Sequence, residues 1–170
     1  MPTRKVMLLG DIAVGKTSLV RRLVLDRFEA DYKATIGVDI YTHDTTVDLD
    51  GNPRDSQLVV WDIDGDLGDS IFNHIYIRGA SGALVIGDGT RPATMQTMVR
   101  LADGFRGSLP GRPLSYVVNK ADIFRGDIAE GMPDALEDPA VPLHITSARS
   151  GANVREAFAG LALAIERSGL

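Results

Sequence analysis

Residues 10–18 read GDIAVGKTS, directly after the apolar run Val6–Leu9 and directly before a helical pattern over Thr17–Leu25. The spacing is G-x-x-x-x-G-K-[ST], and a strand before it with a helix after it is the context that gives this pattern meaning. In such a turn the backbone amides of Ala13, Val14, Gly15, Lys16, Thr17 and Ser18 can curl around phosphate oxygens at a helix N-terminus, where the peptide dipoles favour an anion. Lys16 is placed to reach β- and γ-phosphates, and Thr17 to ligate Mg²⁺. The alternative, a glycine-containing turn with a lone surface lysine, does not explain the full spacing.

The rest of the chain repeats the strand-then-helix order. Short apolar runs at Leu58–Trp61, Ala83–Ile86, Leu114–Val118 and Val141–Ile145 mostly lack alternation, as expected for parallel strands covered on both faces. Pro92–Phe105 reads as a helix with Thr90 as its cap, and Asn153–Ile165 as the last helix. Around Asp50-Gly51-Asn52-Pro53 two strand-like runs meet at an Asp-Gly hairpin signal. Residues 124–140 read as an irregular loop around a short helix. These elements predict one domain over residues 1–170. Its class is a three-layer α/β fold with a mostly parallel six-stranded sheet and one antiparallel strand from the hairpin. In such folds ligands bind at the carboxyl ends of the strands.

Composition narrows the classes. The 170 residues suit a single domain. A net charge of −5 provides no basic patch, so no nucleic-acid partner is expected. Without cysteine there is no disulfide, zinc-thiolate site, nucleophilic thiol or thiol-linked lipid. No apolar run spans a membrane, and the first residues match neither a signal peptide nor a myristoylation signal. The expectation is a cytoplasmic protein without a direct lipid anchor in this chain, touching any membrane through a partner.

Two further strand ends carry chemistry. Leu114–Val118 runs into Asn119-Lys120-Ala121-Asp122. The four residues fit a solvated turn or a base-reading loop. In the second reading Asp122 accepts two N–H bonds from the guanine edge, which adenine cannot supply. Asn119 bridges the loops, and the Lys120 stem covers the base. Val141–Ile145 runs into Thr146-Ser147-Ala148, where the Ala148 N–H is free to meet a guanine carbonyl while the hydroxyls cap a helix.

GDIAVGKTS, RFEADYKATIGVDI (27–40), WDIDG (61–65), NKAD (119–122) and TSA (146–148) stand in the order and spacing of the Ras superfamily of small GTPases. RFEADYKATIGVDI and YIRGASGALVI resemble its Rab-type members most. The resemblance spans essentially the whole chain and implies a GTP/GDP switch with GTPase activity and Mg²⁺. Thr35 then closes over the γ-phosphate and Mg²⁺, Phe28 packs on the guanine unless it is core, Asp62 holds Mg²⁺ through water, and Gly65 contacts the γ-phosphate. The implied metal set is Thr17, Thr35 and Asp62, and the implied catalytic set Lys16, Thr35, Gly65 and Asp66. The nucleotide set is residues 13–18, Phe28, Thr35, Gly65, Asn119, Lys120, Asp122, Ser147, Ala148 and Arg149. Effector, exchange-factor and GTPase-activating proteins are expected at residues 32–40 and 64–78.

The chain also departs from that family. Asp66 stands where a glutamine usually orients the attacking water. Asp64 replaces a small apolar residue, and Ile12 a glycine or other small one. Leu67-Gly68-Asp69-Ser70 replaces a Glu-Arg-aromatic pattern, and Gly68 weakens any helix there. The acidic loop is not a calcium loop, because the sixth and twelfth positions from Asp62 are Leu67 and Asn73. Asp69 is expected to be a solvated charge, and His43, His74 and His144 show no metal spacing. Slow hydrolysis is expected from Asp66, with a nucleotide-dependent scaffold of negligible turnover as the alternative. An ATP-using enzyme conflicts with NKAD and TSA.

Overall fold

The computed structural model describes residues 1–31, 33–63, 65–73 and 75–169, with backbone alone at Asp69 and 71–73. The expectations for Asp64, His74, the Asp69 side chain and the first residue of 32–40 lie outside the described residues.

Nine main elements follow one another: β1 (Thr3–Gly10), α1 (Lys16–Leu25), β2 (Val38–Leu49), β3 (Asn52–Ile63), β4 (Gly82–Asp88), α2 (Pro92–Ser108), β5 (Leu114–Asn119), β6 (Leu143–Ile145) and α3 (Val154–Ser168). They form a six-stranded sheet in the order β2-β3-β1-β4-β5-β6, in which only the β2–β3 pair is antiparallel. The hairpin turns at Asp50 and Gly51, with φ of 52° and 83°, and pairs Leu49 with Asn52. Positive φ at both central residues is what a two-residue turn needs to match the strands' twist.

The strict period of two along β1 divides the core. Val6 and Leu8 face α1 and α3, packing with Leu19, Val20, Phe158, Leu161 and Ile165. Met7 and Leu9 face α2, packing with Met95, Met98, Leu101 and Phe105. Both faces are thus covered, which is why the central strands read as continuous apolar runs.

The N-cap of α2 differs from expectation. Arg91 occupies it with no side-chain cap bond, while the Thr90 hydroxyl donates to Asp88 Oδ1 at 2.6 Å. The buried Asp88 carboxylate is the stronger acceptor and takes the hydroxyl from the helix end. Between 124 and 140 the expected short helix is replaced by two 3₁₀ turns, Ile128–Gly131 and Asp134–Leu136. After β3, Gly65–Asn73 forms 3₁₀ turns broken at Gly68, whose φ of 48° and ψ of −135° no helix contains.

The topology fixes where loops gather. β1 sends the chain to β3 on one side, and the chain returns to β4 on the other. The carboxyl end of β1 therefore sits at the point where strand order reverses, the usual ligand crevice of an open α/β sheet. Because β2 runs the other way, its first residue, Val38, pairs with Ile63, so Thr35 reaches the same end.

Candidate functional site

A cleft of about 470 Å³ opens at that end. One wall comprises Ala13, Gly15, Lys16, Thr17 and Ser18; the others bring Phe28, Thr35, Gly65, Asp66, Asn119, Lys120, Asp122, Ala148 and Arg149. Three sequence-nominated residues do not line it. The Val14 side chain is fully buried in the core, so only its backbone is on offer. Ser147 is buried, and Asp62 lies behind the cleft wall.

The loop from Gly10 to Lys16 is shaped by close approaches. A Cβ at Gly10 would lie 2.5 Å from the Ile86 carbonyl oxygen and 3.0 Å from the Val14 side chain. Gly15 has φ of 103°, and a Cβ there would run into the Asn119 amide nitrogen. Ala13 holds a left-handed φ of 61° despite its methyl group. The Lys16 ammonium curls back to donate to the Gly10 and Asp11 carbonyls at 2.8 and 3.0 Å. Gly65 lies against the same loop, where a Cβ would be 2.9 Å from the Ile12 nitrogen and 3.0 Å from Lys16 Nζ.

At one end of the cleft three oxygens from separate elements converge. Thr17 Oγ1 donates to Asp62 Oδ2 and lies 2.7 Å from Thr35 Oγ1. Asp62 is fully buried, and its Oδ1 finds no hydrogen-bond partner among the described residues. Burial raises the Asp62 carboxyl above the ordinary aspartate range, against the opposing hydrogen bond from Thr17 and the charge of Lys16. An orphaned buried carboxylate oxygen beside two hydroxyls is a hard-oxygen donor set that suits Mg²⁺.

At the other end the loops that follow β5 and β6 interlock. Asn119 Nδ2 donates to the Val14 carbonyl at 3.0 Å, and Asn119 Oδ1 accepts from Thr146 Oγ1 at 3.0 Å and the Ala148 N–H at 3.2 Å. The Ala148 N–H, assigned from sequence to a guanine carbonyl, is thus engaged by Asn119. Ser147 Oγ donates to Asp122 Oδ1 at 2.8 Å, which orients the carboxylate; Ser147 supports Asp122 instead of lining the cleft. Lys120 Nζ donates to the Ala13 carbonyl at 2.8 Å and pairs with Asp88 at 3.0 Å. Phe28 is 36% exposed and lines the cleft, so it is not plain core.

Three contributors escaped the sequence reading. Arg22 on α1 donates to the carbonyls of Ala148 and Arg149. Asp88 is 1% exposed and receives Thr90, Arg91 and Lys120. Burial pushes the Asp88 carboxyl up, but these donors outweigh it and leave it below its ordinary range. Arg91 also donates to the Ile12 carbonyl at 2.8 Å. No short motif announces them, because the contacts of Arg22 with residues 148 and 149, of Arg91 with Ile12 and of Lys120 with Asp88 join elements far apart in sequence.

A P-loop on β1–α1, an oxygen-rich cation niche and an Asn-Lys-x-Asp loop thus open onto one cleft. A family model described as "Ras of Complex, Roc, domain of DAPkinase" matches residues 5–122. The chain belongs to the Ras superfamily of small GTPases. Its relatives include the Ypt/Rab-type GTPase YPT7 of Saccharomyces cerevisiae, 33% identical across 93% of this chain and 79% of the yeast protein. RABA3 of Arabidopsis thaliana is 35% identical across 91% and 65% respectively. Rab7 of Drosophila melanogaster is 32% identical across 91% and 76%. Six strands with one antiparallel pair are the fold of that superfamily's GTPases, and GTP or GDP with Mg²⁺ is what its members bind. No helix among the described residues is long and apolar enough to cross a membrane.

Proposed function

We propose that residues 1–170 form one G domain acting as a GTP/GDP switch with slow, Mg²⁺-dependent GTP hydrolysis. The observation that carries this reading is the convergence of Thr17, Thr35 and Asp62 beside the phosphate loop. Thr35 comes from the segment before β2 and Asp62 from the end of β3. A γ-phosphate with its Mg²⁺ would hold both segments, and its loss would release them. Lys16 and the amides of residues 13–18 hold the phosphates, Asp122 reads the guanine edge, Lys120 and Phe28 cover the base, and Gly65 meets the γ-phosphate. Thr17, Thr35 and Asp62 would hold Mg²⁺, which would supply positive charge against the phosphates.

Hydrolysis is slow in this reading because of Asp66. It is exposed and lines the cleft beyond Gly65, facing the same space as Ile12. A glutamine amide accepts a bond from water and donates one toward the phosphate; an ionised carboxylate only accepts, is one methylene shorter and repels the phosphate oxygens. Ile12, 40% exposed, crowds the position that a partner's arginine would use. Asp66→Gln is expected to raise single-turnover hydrolysis of [γ-³²P]GTP about tenfold, or ~1.4 kcal/mol of barrier. A lower rate in the variant would make Asp66 a catalytic base and overturn the explanation. A rate at the level of free GTP in both proteins would favour the scaffold reading.

Effectors, exchange factors and GTPase-activating proteins fit residues 32–40 and 64–78. Support comes from apolar side chains presented to solvent there: Ile36 at 91% exposed, Ile40 at 54% and Ile75 at 69%. The net charge of −5 argues against a nucleic-acid partner. We place the protein in the cytoplasm, reaching any membrane surface through such a partner.

A further inference from the structure

The carbonyl side of the phosphate loop is held from behind, one group after another. Lys16 takes the carbonyls of Gly10 and Asp11, Arg91 that of Ile12, Lys120 that of Ala13 and Asn119 that of Val14. Three of these residues belong to the nucleotide-binding motifs. Arg91 does not. It sits at the N-cap of α2, 79 positions along the chain from Ile12.

A trans peptide is planar, with its C=O and N–H pointing in opposite directions, and no cis peptide occurs among the described residues. Whatever grips the Ile12 carbonyl therefore also aims the Ala13 N–H, on the opposite side of the strand of chain. The same holds for Lys120 and the Val14 N–H, and for Asn119 and the Gly15 N–H. The residue between the first two grips is Ala13, whose φ of 61° an alanine seldom adopts. Its two flanking carbonyls need restraint to keep it there, and Arg91 and Lys120 supply one each.

Both cations are themselves anchored on one carboxylate. Asp88 Oδ2 lies 3.0 Å from Arg91 Nε and 3.0 Å from Lys120 Nζ, and Asp88 is only 1% exposed. The planar guanidinium suits this double task. Nε points at Asp88 while Nη2, on another side of the fork, points at Ile12. The Arg91 side chain is 44% exposed, and it lies outside the cleft wall. It acts on the loop, not on a ligand.

We propose that Arg91 is a positioning residue for the nucleoside-diphosphate phosphates, presenting the Ala13 N–H to them by fixing the Ile12–Ala13 peptide. The inference rests on the phosphate-loop reading above and deepens it. A nucleotide whose second phosphate fills the loop depends on this grip, whereas one with a single phosphate depends on it less. The Asp122–Ser147 bond, which sets the choice of base, involves neither Arg91 nor Asp88.

Release of fluorescent GDP from the full chain in Mg²⁺ tests this directly. Arg91→Ala is expected to speed release about tenfold, the loss of one charge-assisted hydrogen bond. The β-phosphate ³¹P resonance of bound GDP should move toward its position in free GDP. The preference for GDP over GMP should fall by a similar factor, while the preference for GDP over ADP stays as in wild type. Arg91→Lys keeps a cation beside Asp88 but lacks the fork, and should shift all three readouts in the same direction by less. This variant decides the matter if Arg91→Ala does not fold. Wild-type release, resonance and GDP-to-GMP preference in a folded variant would overturn the proposal. Wild-type protein that binds no GDP would instead overturn the underlying reading, and the proposal with it.

Discussion

Asp122→Ala is expected to weaken GDP binding by about 10²–10⁴-fold and to bring its affinity down toward that of ADP. The Asp122 carboxylate lines the cleft and is aimed by the Ser147 hydroxyl at 2.8 Å. In the proposed complex two N–H donors on the guanine edge would meet its two oxygens. Each hydrogen bond to a charged group contributes roughly 1.5–3 kcal/mol, so the pair contributes about 3–6 kcal/mol. Adenine presents no such donors and would leave the carboxylate without partners. Ser147→Ala leaves Asp122 in place but unaimed, and should cost only a fraction of this. Equilibrium titration of the variants with fluorescent GDP and ADP measures both effects. Equal affinity of the wild type for GDP and ADP would remove guanine from the proposed ligand.

The second large effect is expected at the cation niche. Asp62→Asn should accelerate GDP release about 10²–10³-fold in Mg²⁺, near the rate that EDTA produces in the wild type, and EDTA should then add little. The scale is the ~3–4 kcal/mol lost when one member of a buried charge pair is removed. Asp62 also predicts a pH dependence. Burial raises its carboxyl in the folded protein above the value it has in the unfolded chain. Without a cation the folded state therefore binds this proton more tightly than the unfolded chain does. This contribution to stability is fully present below the unfolded-state value and is lost as pH rises through the raised one. Mg²⁺ competes with that proton, so its affinity should climb with pH across the same window and flatten above it. Asp62→Asn should abolish the climb. Calorimetric titration of Mg²⁺ into the GDP-bound protein at several pH values measures it; a pH-independent affinity in the wild type would separate Asp62 from the cation.

Much of this architecture could be read from single stretches of sequence. Val6–Leu9 and Ala83–Ile86 are apolar on both faces because helices cover both sides of the sheet, and the Asp50-Gly51 turn needs the positive φ that those residues tolerate. The motif residues at 15–17 and 119–122 could be nominated because their spacing is local, and Thr35 because its stretch resembles a family motif. What stayed hidden depends on which side chains the folded chain buries and turns toward one another. Thr90 looked like a cap until the buried Asp88 beside it was known. Ser147 and Val14 fall inside motifs yet do not face the cleft, because their neighbours' backbone geometry turns them inward. Arg91 belongs to no motif, and only the packing of α2 against the β1 end brings its guanidinium to Ile12.

The hairpin has a cost of its own. Among the described strands β2 closes one side of the sheet, so one row of its N–H and C=O groups is unpaired by any neighbouring strand. Twelve residues is long for such a border, and an open border of this length is a template for aggregation. Asp39, Asp44 and Asp48 all lie on it, exposed. Two copies meeting border to border would bring like charges together along the whole strand. Those aspartates would therefore oppose self-pairing, and exchanging all three for neutral residues is expected to raise the aggregation rate.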